Sequence, residues 1–544
     1  FETEPRDFLA AATPGAGKTT FALRLAAELL ARRTVERVIV VAPTEHLKRQ
    51  WADAAHRVGI RLDPAFRNSS RVIARAFHGA AVTYAQVAMQ PFVHRTLIEQ
   101  STTLVILDEV HHGGDALSWG DALREAYAGA TRRLSLTGTP FRSDTAPIPF
   151  VSYVPDAEGV RLSQTDYQYG YGRALRDGVV RPVLFMSYGG RTRWRTTTGD
   201  EMEAVLGQDD TADITAQAWR TALDPGGEWM SGVLRAANTR LTEVRHAVPD
   251  AGGLVIATDQ ATARAYAQLL TTIAGEPPVV VLSDEAGASD RIAEFAESES
   301  RWLVAVRMVS EGVDVPRLAV GVYATSASTP LFFAQAIGRF VRARRRGETA
   351  SIFIPSVPSI RRLASELERE RDHALDRASD ELLDDSLLAA AEVDDKASDS
   401  ELAEFTYQAL ESTATFDSVV YEGDDFGHLA EIGSLEELDF LGLPGILEPE
   451  QVREVLAARQ QRQSRRAAER PATQPAPQAL YRSLKEQRSL LNSLVGLRAK
   501  LTGQPHGHIH AELRRVCGGP AVGQATVAQL QSRIELLRRQ MAGS

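Results

Sequence analysis

Lys18, Asp108 and Glu109 each close a short run of residues whose types and spacing suit phosphate chemistry. Lys18 sits in ATPGAGKTT (12–20), an A-x-x-x-x-G-K-T loop with alanine in its first position. Gly15 and Gly17 let backbone N–H groups turn toward phosphate oxygens at a helix N-terminus. Lys18 is then expected to reach the β- and γ-phosphates, and the Thr19 hydroxyl to coordinate magnesium. Pro14, Gly15, Ala16, Gly17, Lys18, Thr19 and Thr20 together form the expected nucleotide cradle. In DEVHH (108–112), Asp108 is the expected second magnesium ligand and Glu109 the group that orients and deprotonates a water. His111 and His112 point in different directions as neighbours with no third ligand nearby, so His111 reads as a polar link to the nucleotide site rather than a metal ligand.

A third run, QAIGRFVR (335–342), places Gln335, Arg339 and Arg342 at i, i+4 and i+7. On a helix those three share a face. Such a face suits γ-phosphate across an interdomain cleft, where an arginine finger contributes ~10³–10⁵ in rate. The basic run that follows, Arg344, Arg345 and Arg346, reads as solvated or facing nucleic acid.

Positioning these residues requires two sheets. RVIVVAP (37–43) and LVILDE (104–109) are continuous β-branched runs suited to strands buried on both faces of a parallel sheet, and Thr19–Arg32 has a helical pattern. From Gly253 the strand–helix rhythm restarts with GLVIATD, PVVVLSD, RWLVAVRM, RLAVGVYATS and SIFIP, without a second phosphate loop. The expected fold class is therefore α/β, with two tandem RecA-like parallel-sheet domains followed by mainly α-helical C-terminal regions.

The ordered series of runs resembles a superfamily 2 helicase over roughly residues 10–356. ATPGAGKT corresponds to motif I, VAPTEHLKRQW (41–51) to Ia, VTYAQV (82–87) to Ib, DEVH to II and LTGTPFR (136–142) to III. LVIATD (254–259), VSEGVDVP (309–316) and QAIGRFVR follow as motifs IV, V and VI. DEVH with TGT and Q-x-x-G-R differs from the DEAD-box pattern and is similar to the DNA-directed branch of XPB-like, RadD-like and restriction-motor proteins. The resemblance implies ATP and Mg²⁺ as ligands and DNA, in preference to RNA, as partner, with 3′-to-5′ movement. It further implies that Pro43, Thr44 and Thr83 lie near a strand's phosphate backbone, that Thr137 and Thr139 link hydrolysis to movement, and that Gly312 and Asp314 contact the nucleotide. Family members carry an adenine-recognising glutamine segment upstream of motif I, and none is visible in the residues ahead of Ala12, so preference for ATP rests on the resemblance alone.

The 544 residues carry a formal net charge of −10, unevenly distributed. Lys plus Arg against Asp plus Glu number 43 and 44 over residues 1–375, 2 and 22 over 376–450, and 16 and 5 over 451–544. A nearly neutral motor precedes an acidic segment and a basic tail, and a local basic track suffices for phosphate contact. The expected divisions are 1–175, the first RecA-like domain; 176–250, a connecting region; 251–375, the second RecA-like domain; 376–450, acidic and partly helical; 451–478, an Arg-rich helix and Pro-rich linker; and 479–544, a small basic helical module. Arg191, Arg193 and Arg195 around Trp194 form a basic-aromatic cluster that suits nucleic acid or a surface loop. Asp380, Asp384, Asp385, Asp394 and Asp395 suggest an electrostatic gate competing with DNA. His506, His508, His510 and Cys517 lack the paired spacing of a zinc finger, so the terminal module reads as a DNA- or partner-binding appendage. One cysteine excludes an internal disulfide framework, and no eighteen-residue apolar run is present. The expectation is a cytoplasmic protein without a membrane partner.

Overall fold

The structure is a computed structural model that describes residues 6–110, 117–138, 147–155, 161–196, 199, 201–208, 211–282, 287–306, 315–367 and 407–469, with parts of 488–537. Its first unit runs β1 (Asp7–Ala12), α1 (Lys18–Ala31), β2 (Arg37–Ala42), α2 (Glu45–Arg57), β3 (Leu62–Asp63), β4 (Gly79–Thr83), α3 (Tyr84–Met89), α4 (Pro91–Glu99), β5 (Thr103–Leu107), α5 (Leu117–Tyr127) and β6 (Arg132–Thr137). A small hairpin, β7 (Tyr153–Pro155) with β8 (Arg161–Ser163), precedes the edge strand β9 (Tyr167–Tyr169). The sheet is parallel in the order β3-β4-β2-β5-β6-β1-β9. Strands β2 and β5 contribute residues to separate cores on the two faces, Ile39 and Val105 to one, Val38 and Ile106 to the other. That double burial is why both sequences read as unbroken apolar runs. The loops after β1 and β5, which carry Lys18 and Asp108, therefore emerge at the carboxyl end of the sheet, where open α/β folds bind ligands.

The second unit begins with α6 (Tyr171–Arg176), β10 (Val183–Thr196), β11 (Glu201–Leu206), α7 (Ala212–Ala222) and α8 (Glu228–Ala247). It continues through β12 (Gly252–Ala257), α9 (Gln260–Ala274), β13 (Val279–Val281), α10 (Ala288–Glu297), β14 (Trp302–Val306), β15 (Leu318–Ala324), α11 (Pro330–Ile337), β16 (Ala350–Pro355) and α12 (Pro358–Ser365). Then come β17 (Tyr407–Ser412), β18 (Thr415–Tyr421), β19 (Asp424–Phe426), β20 (Ala430–Glu431), α13 (Leu435–Leu441), α14 (Pro449–Glu469) and α15 (His506–Cys517). The main strand path is β13-β14-β12-β15-β16-β10-β18-β19, parallel from β13 to β10 and antiparallel beyond.

Two expected divisions differ from this arrangement. Residues 176–250 are more than a connection, because β10 pairs with β16 and belongs to the second sheet. Residues 407–431 extend that sheet, with β17 and β18 both laid against β10. A single core cluster accordingly spans Tyr171 to Leu456. The alternation in TFDSVVY, where Phe416 and Ser418 are buried between half-exposed Thr415 and Asp417, is the local signal for a strand beneath the acidic composition. Residues 380–395, and the gate expected there, lie outside the described residues.

The basic-aromatic cluster of β10 is internally neutralised. Trp194 is buried, Arg193 pairs with Glu201 and Glu411 at 3.1 and 3.0 Å, Arg195 with Glu201 at 2.9 Å, and Arg191 with Glu203 at 3.5 Å. Those glutamates come from β11 and β17, whose pairing was not legible from the arginines themselves. At the C-terminal end, Leu491, Val495, Ile509, Leu513, Leu530, Ile534 and Leu537 form a separate small core. Its His506, His508 and His510 lie on α15, and no metal-holding group of His, Cys, Asp and Glu occurs among the described residues. No helix among the described residues is long and apolar enough to cross a membrane.

Candidate active site

Helix α1 starts at Lys18 without a side-chain cap, its N-cap being Gly17 at φ +85°. The first-turn N–H groups therefore have no internal acceptor and point into the space ahead of the helix. Gly15, at φ +78°, makes the preceding bend, and the Ala16 N–H donates to Thr13 O at 3.1 Å. Two left-handed residues in this short loop explain the glycines, since a side chain there strains the backbone. The result is a concave row of donors suited to phosphate.

Opposite this loop, Asp108 and Glu109 follow β5. The Asp108 carboxylate is buried, and its Oδ2 accepts from the Trp51 indole N–H at 2.7 Å. Burial, then the neighbouring Glu109 charge, push its pKa up to about 6 against the opposing pull of Lys18 and the Trp51 bond. Glu109 adopts φ +46°, a left-handed conformation that costs a non-glycine residue ~1–3 kcal/mol. It forms an ion pair with Lys18 and also accepts from the Gly138 N–H at 2.8 Å. Thus motif II, the motif I lysine and the start of the motif III turn meet at one carboxylate. Thr137 is buried at the end of β6, next to Gly138.

The second unit closes the same space. A cavity of about 840 Å³ is lined by Pro14, Gly15, Gly17, Lys18, Thr19, Thr20, Asp108 and Glu109 from one side and by Gln335, Gly338, Arg339 and Arg342 from the other. A β-carbon added at Gly15 would stand 2.9 Å from Arg342 Cγ, and one at Gly338 would stand 2.6 Å from Pro14 Cβ. Motifs I and VI are therefore in direct contact. Gln335, Arg339 and Arg342 reach the cavity as their spacing suggested, though not as one helical face. Helix α11 ends at Ile337, Gly338–Phe340 form a turn, and Arg342 makes an antiparallel bridge with Val180. The apolar residues between them, Ala336, Ile337, Phe340 and Val341, are buried in the second core.

Arg181 secures that segment, and nothing in its sequence context marked it. Buried two residues ahead of β10, it donates from Nε to Phe340 O at 2.6 Å and from its backbone N–H to Val341 O at 2.9 Å. It also donates to Leu318 O and pairs with the buried Glu348 at 3.4 Å. Arg344, expected in a solvated run, instead bonds Asp250 at 2.5 and 3.1 Å and approaches Glu348 at 3.5 Å. Arg346, exposed like Arg345, pairs with Glu448 at 3.2 Å.

Of the expected nucleic-acid residues, Thr44 and Thr83 cap α2 and α3 by accepting from Leu47 N–H and Gln86 N–H at 3.3 and 3.2 Å. Pro43 lies on the wall of the nucleotide-sized cavity. His111, Thr139, Gly312 and Asp314 lie outside the described residues.

Residues 1–142 match the family described as "Type III restriction enzyme, res subunit". The chain belongs to one family with mycobacterial proteins that match it over nearly its whole length. Its relatives include "Uncharacterized protein Rv2917" of Mycobacterium tuberculosis, 57% identical over 99% of this chain and 90% of that protein. A similar protein of Mycobacterium leprae is 53% identical over 99% of this chain and 91% of its own length, and these near-full-length matches place all three in one family. More distant is "DNA 3'-5' translocase XPB2" of Sulfurisphaera tokodaii, 24% identical over 61% of this chain and 73% of that protein. Among solved structures, the fragment of a putative HsdR subunit of a type I restriction enzyme from Vibrio vulnificus aligns with TM-score 0.44 and 16% identity, over 67% of this chain and 63% of that one.

Proposed function

We propose that this protein is a superfamily 2 enzyme, an ATP-dependent DNA helicase or translocase that moves 3′-to-5′ along one strand. The observation carrying the reading is the shared cavity, in which the phosphate loop of one sheet unit and the motif VI arginines of the other face the same space. An enzyme built this way couples hydrolysis to opening and closing of two bodies. DNA and the direction of travel are supported by the DEVH, TGT and Q-x-x-G-R pattern and by the named activity of the distant translocase relative.

Each residue's work follows from its place. The uncapped α1 N-terminus and Lys18 receive the phosphates of ATP. The Lys18–Glu109 ion pair must open for either residue to act, Lys18 turning to phosphate and Glu109 to the attacking water. Arg339 and Arg342 add positive charge where the transferred phosphoryl develops negative charge. Thr19 and Asp108 fit a magnesium ion, because the Asp108 carboxylate and the phosphate-loop hydroxyl of Thr19, both oxygen donors, line the same cavity. When bound, the ion neutralises charge on the β- and γ-oxygens. The restriction-subunit match favours a second reading, movement along duplex DNA without strand separation.

Partial duplexes with a 3′ or a 5′ single-stranded tail test the proposal. Separation of the 3′-tailed substrate alone, abolished in Glu109→Gln, is expected. ATP-driven displacement of a triplex strand from blunt duplex, without unwinding, would establish the second reading instead.

A further inference from the structure

We propose that Trp51 and Tyr84 are positioning residues that tie the proposed nucleic-acid track to the hydrolytic centre through Asp108. Asp108 receives one bond from each of two helices. Trp51 of α2 donates its indole N–H to the carboxylate Oδ2 at 2.7 Å, and Tyr84 of α3 donates its hydroxyl to the main-chain O at 2.8 Å. Both side chains are buried, at 2% and 1% exposure, so water does not substitute for either bond. The same two helices are the ones capped by Thr44 and Thr83. Tyr84 is adjacent in sequence to its cap, and Trp51 is seven residues from its own, about 10 Å along a rigid helix.

This geometry converts a small displacement into a chemical signal. Contact between a phosphate backbone and the start of α2 or α3 moves the helix as a body. Lengthening a 2.7 Å bond by about 1 Å carries it beyond hydrogen-bonding range. The Asp108 carboxylate is then reoriented without any nucleic acid reaching the nucleotide cavity. The inference rests on the proposed function, since it requires that a polynucleotide stimulates hydrolysis.

Trp51→Phe and Tyr84→Phe each remove one donor while keeping a buried ring. The expected result is at least a fivefold fall in the ratio of polynucleotide-stimulated to basal ATP hydrolysis, within the 5–150-fold range of ordinary coupling between sites. A separate binding readout follows the same link: the change in affinity for a labelled single-stranded DNA caused by a non-hydrolysable ATP analogue should also shrink. Tyr266→Phe removes an equally buried hydroxyl, bonded to Leu223 O in the second unit, and should leave both ratios intact. Unchanged ratios in Tyr84→Phe and Trp51→Phe would overturn the inference, as would an equal loss in Tyr266→Phe. A wild-type protein that no polynucleotide stimulates would overturn the inference and the function it rests on together, which distinguishes the two failures.

Discussion

Replacing Gly338 by alanine should slow ATP hydrolysis without weakening the fold or the phosphate loop. Gly338 has φ −54°, an ordinary right-handed value, so alanine meets no backbone strain there. The added β-carbon would stand 2.6 Å from both Cβ and Cγ of Pro14. Carbon atoms pack at ~3.5–4.0 Å, so the motif VI turn and the phosphate loop must separate by about 1 Å. A misplacement of about 1 Å costs on the order of 10²-fold in rate when catalytic groups depend on position. Steady-state kinetics at saturating ATP should therefore show kcat reduced about 100-fold, while the nucleotide Kd changes by no more than a few-fold because Lys18 and the α1 N-terminus are untouched. Thermal unfolding should match the wild-type protein. A wild-type kcat would refute the requirement for contact between motifs I and VI, and a Kd that rises as much as kcat falls would move the effect from closure to binding.

Arg181→Met should lower stability by roughly 1–3 kcal/mol, since it removes one of the two arginines paired with buried Glu348 and takes a donor from the buried Phe340 and Leu318 carbonyls; calorimetry showing an unchanged unfolding temperature would contradict this. His94 supplies a pH dependence. Burial depresses its pKa from 6.5 to about 4, where it lies between Asn68 at 3.1 Å and Tyr127 at 3.2 Å. The unfolded chain therefore binds the proton more tightly than the folded one, and stability present above pH 6.5 is lost as pH falls toward 4, by up to about 3 kcal/mol at about 1.4 kcal/mol per tenfold change in proton affinity. His94→Gln should flatten that part of the stability profile between pH 7 and 4, and an unchanged slope would assign it to other groups.

The two sheets and the shared cavity were legible because phosphate binding imposes local constraints. Gly15 and Gly17 must take positive φ, Lys18 must open a helix, and Asp108 must end a buried strand. Each constraint leaves residues of fixed type at fixed spacing. What escaped depends on partners far away in the chain. Nothing around Trp51 indicates that its indole meets a carboxylate 57 residues later, and nothing around Arg181 announces acceptors at Phe340 and Leu318. Composition also misled. The acidic excess of 376–450 hid the alternation of β18, and QAIGRFVR suggested one helical face although the helix ends at Ile337, so that Gln335 is helical while Arg339 lies in the turn and Arg342 beyond it, interleaved with the buried Phe340 and Val341. Net charge follows solvent-facing residues, whereas sheet membership follows the buried ones.

Steady-state ATP hydrolysis measured in parallel without polynucleotide, with single-stranded DNA, with duplex DNA and with RNA tests the proposed motor most directly, provided Glu109→Gln is carried through every condition. Strong stimulation by single-stranded DNA, absent in Glu109→Gln, is the predicted result. Hydrolysis that no polynucleotide changes, or that survives the loss of Glu109, would contradict it.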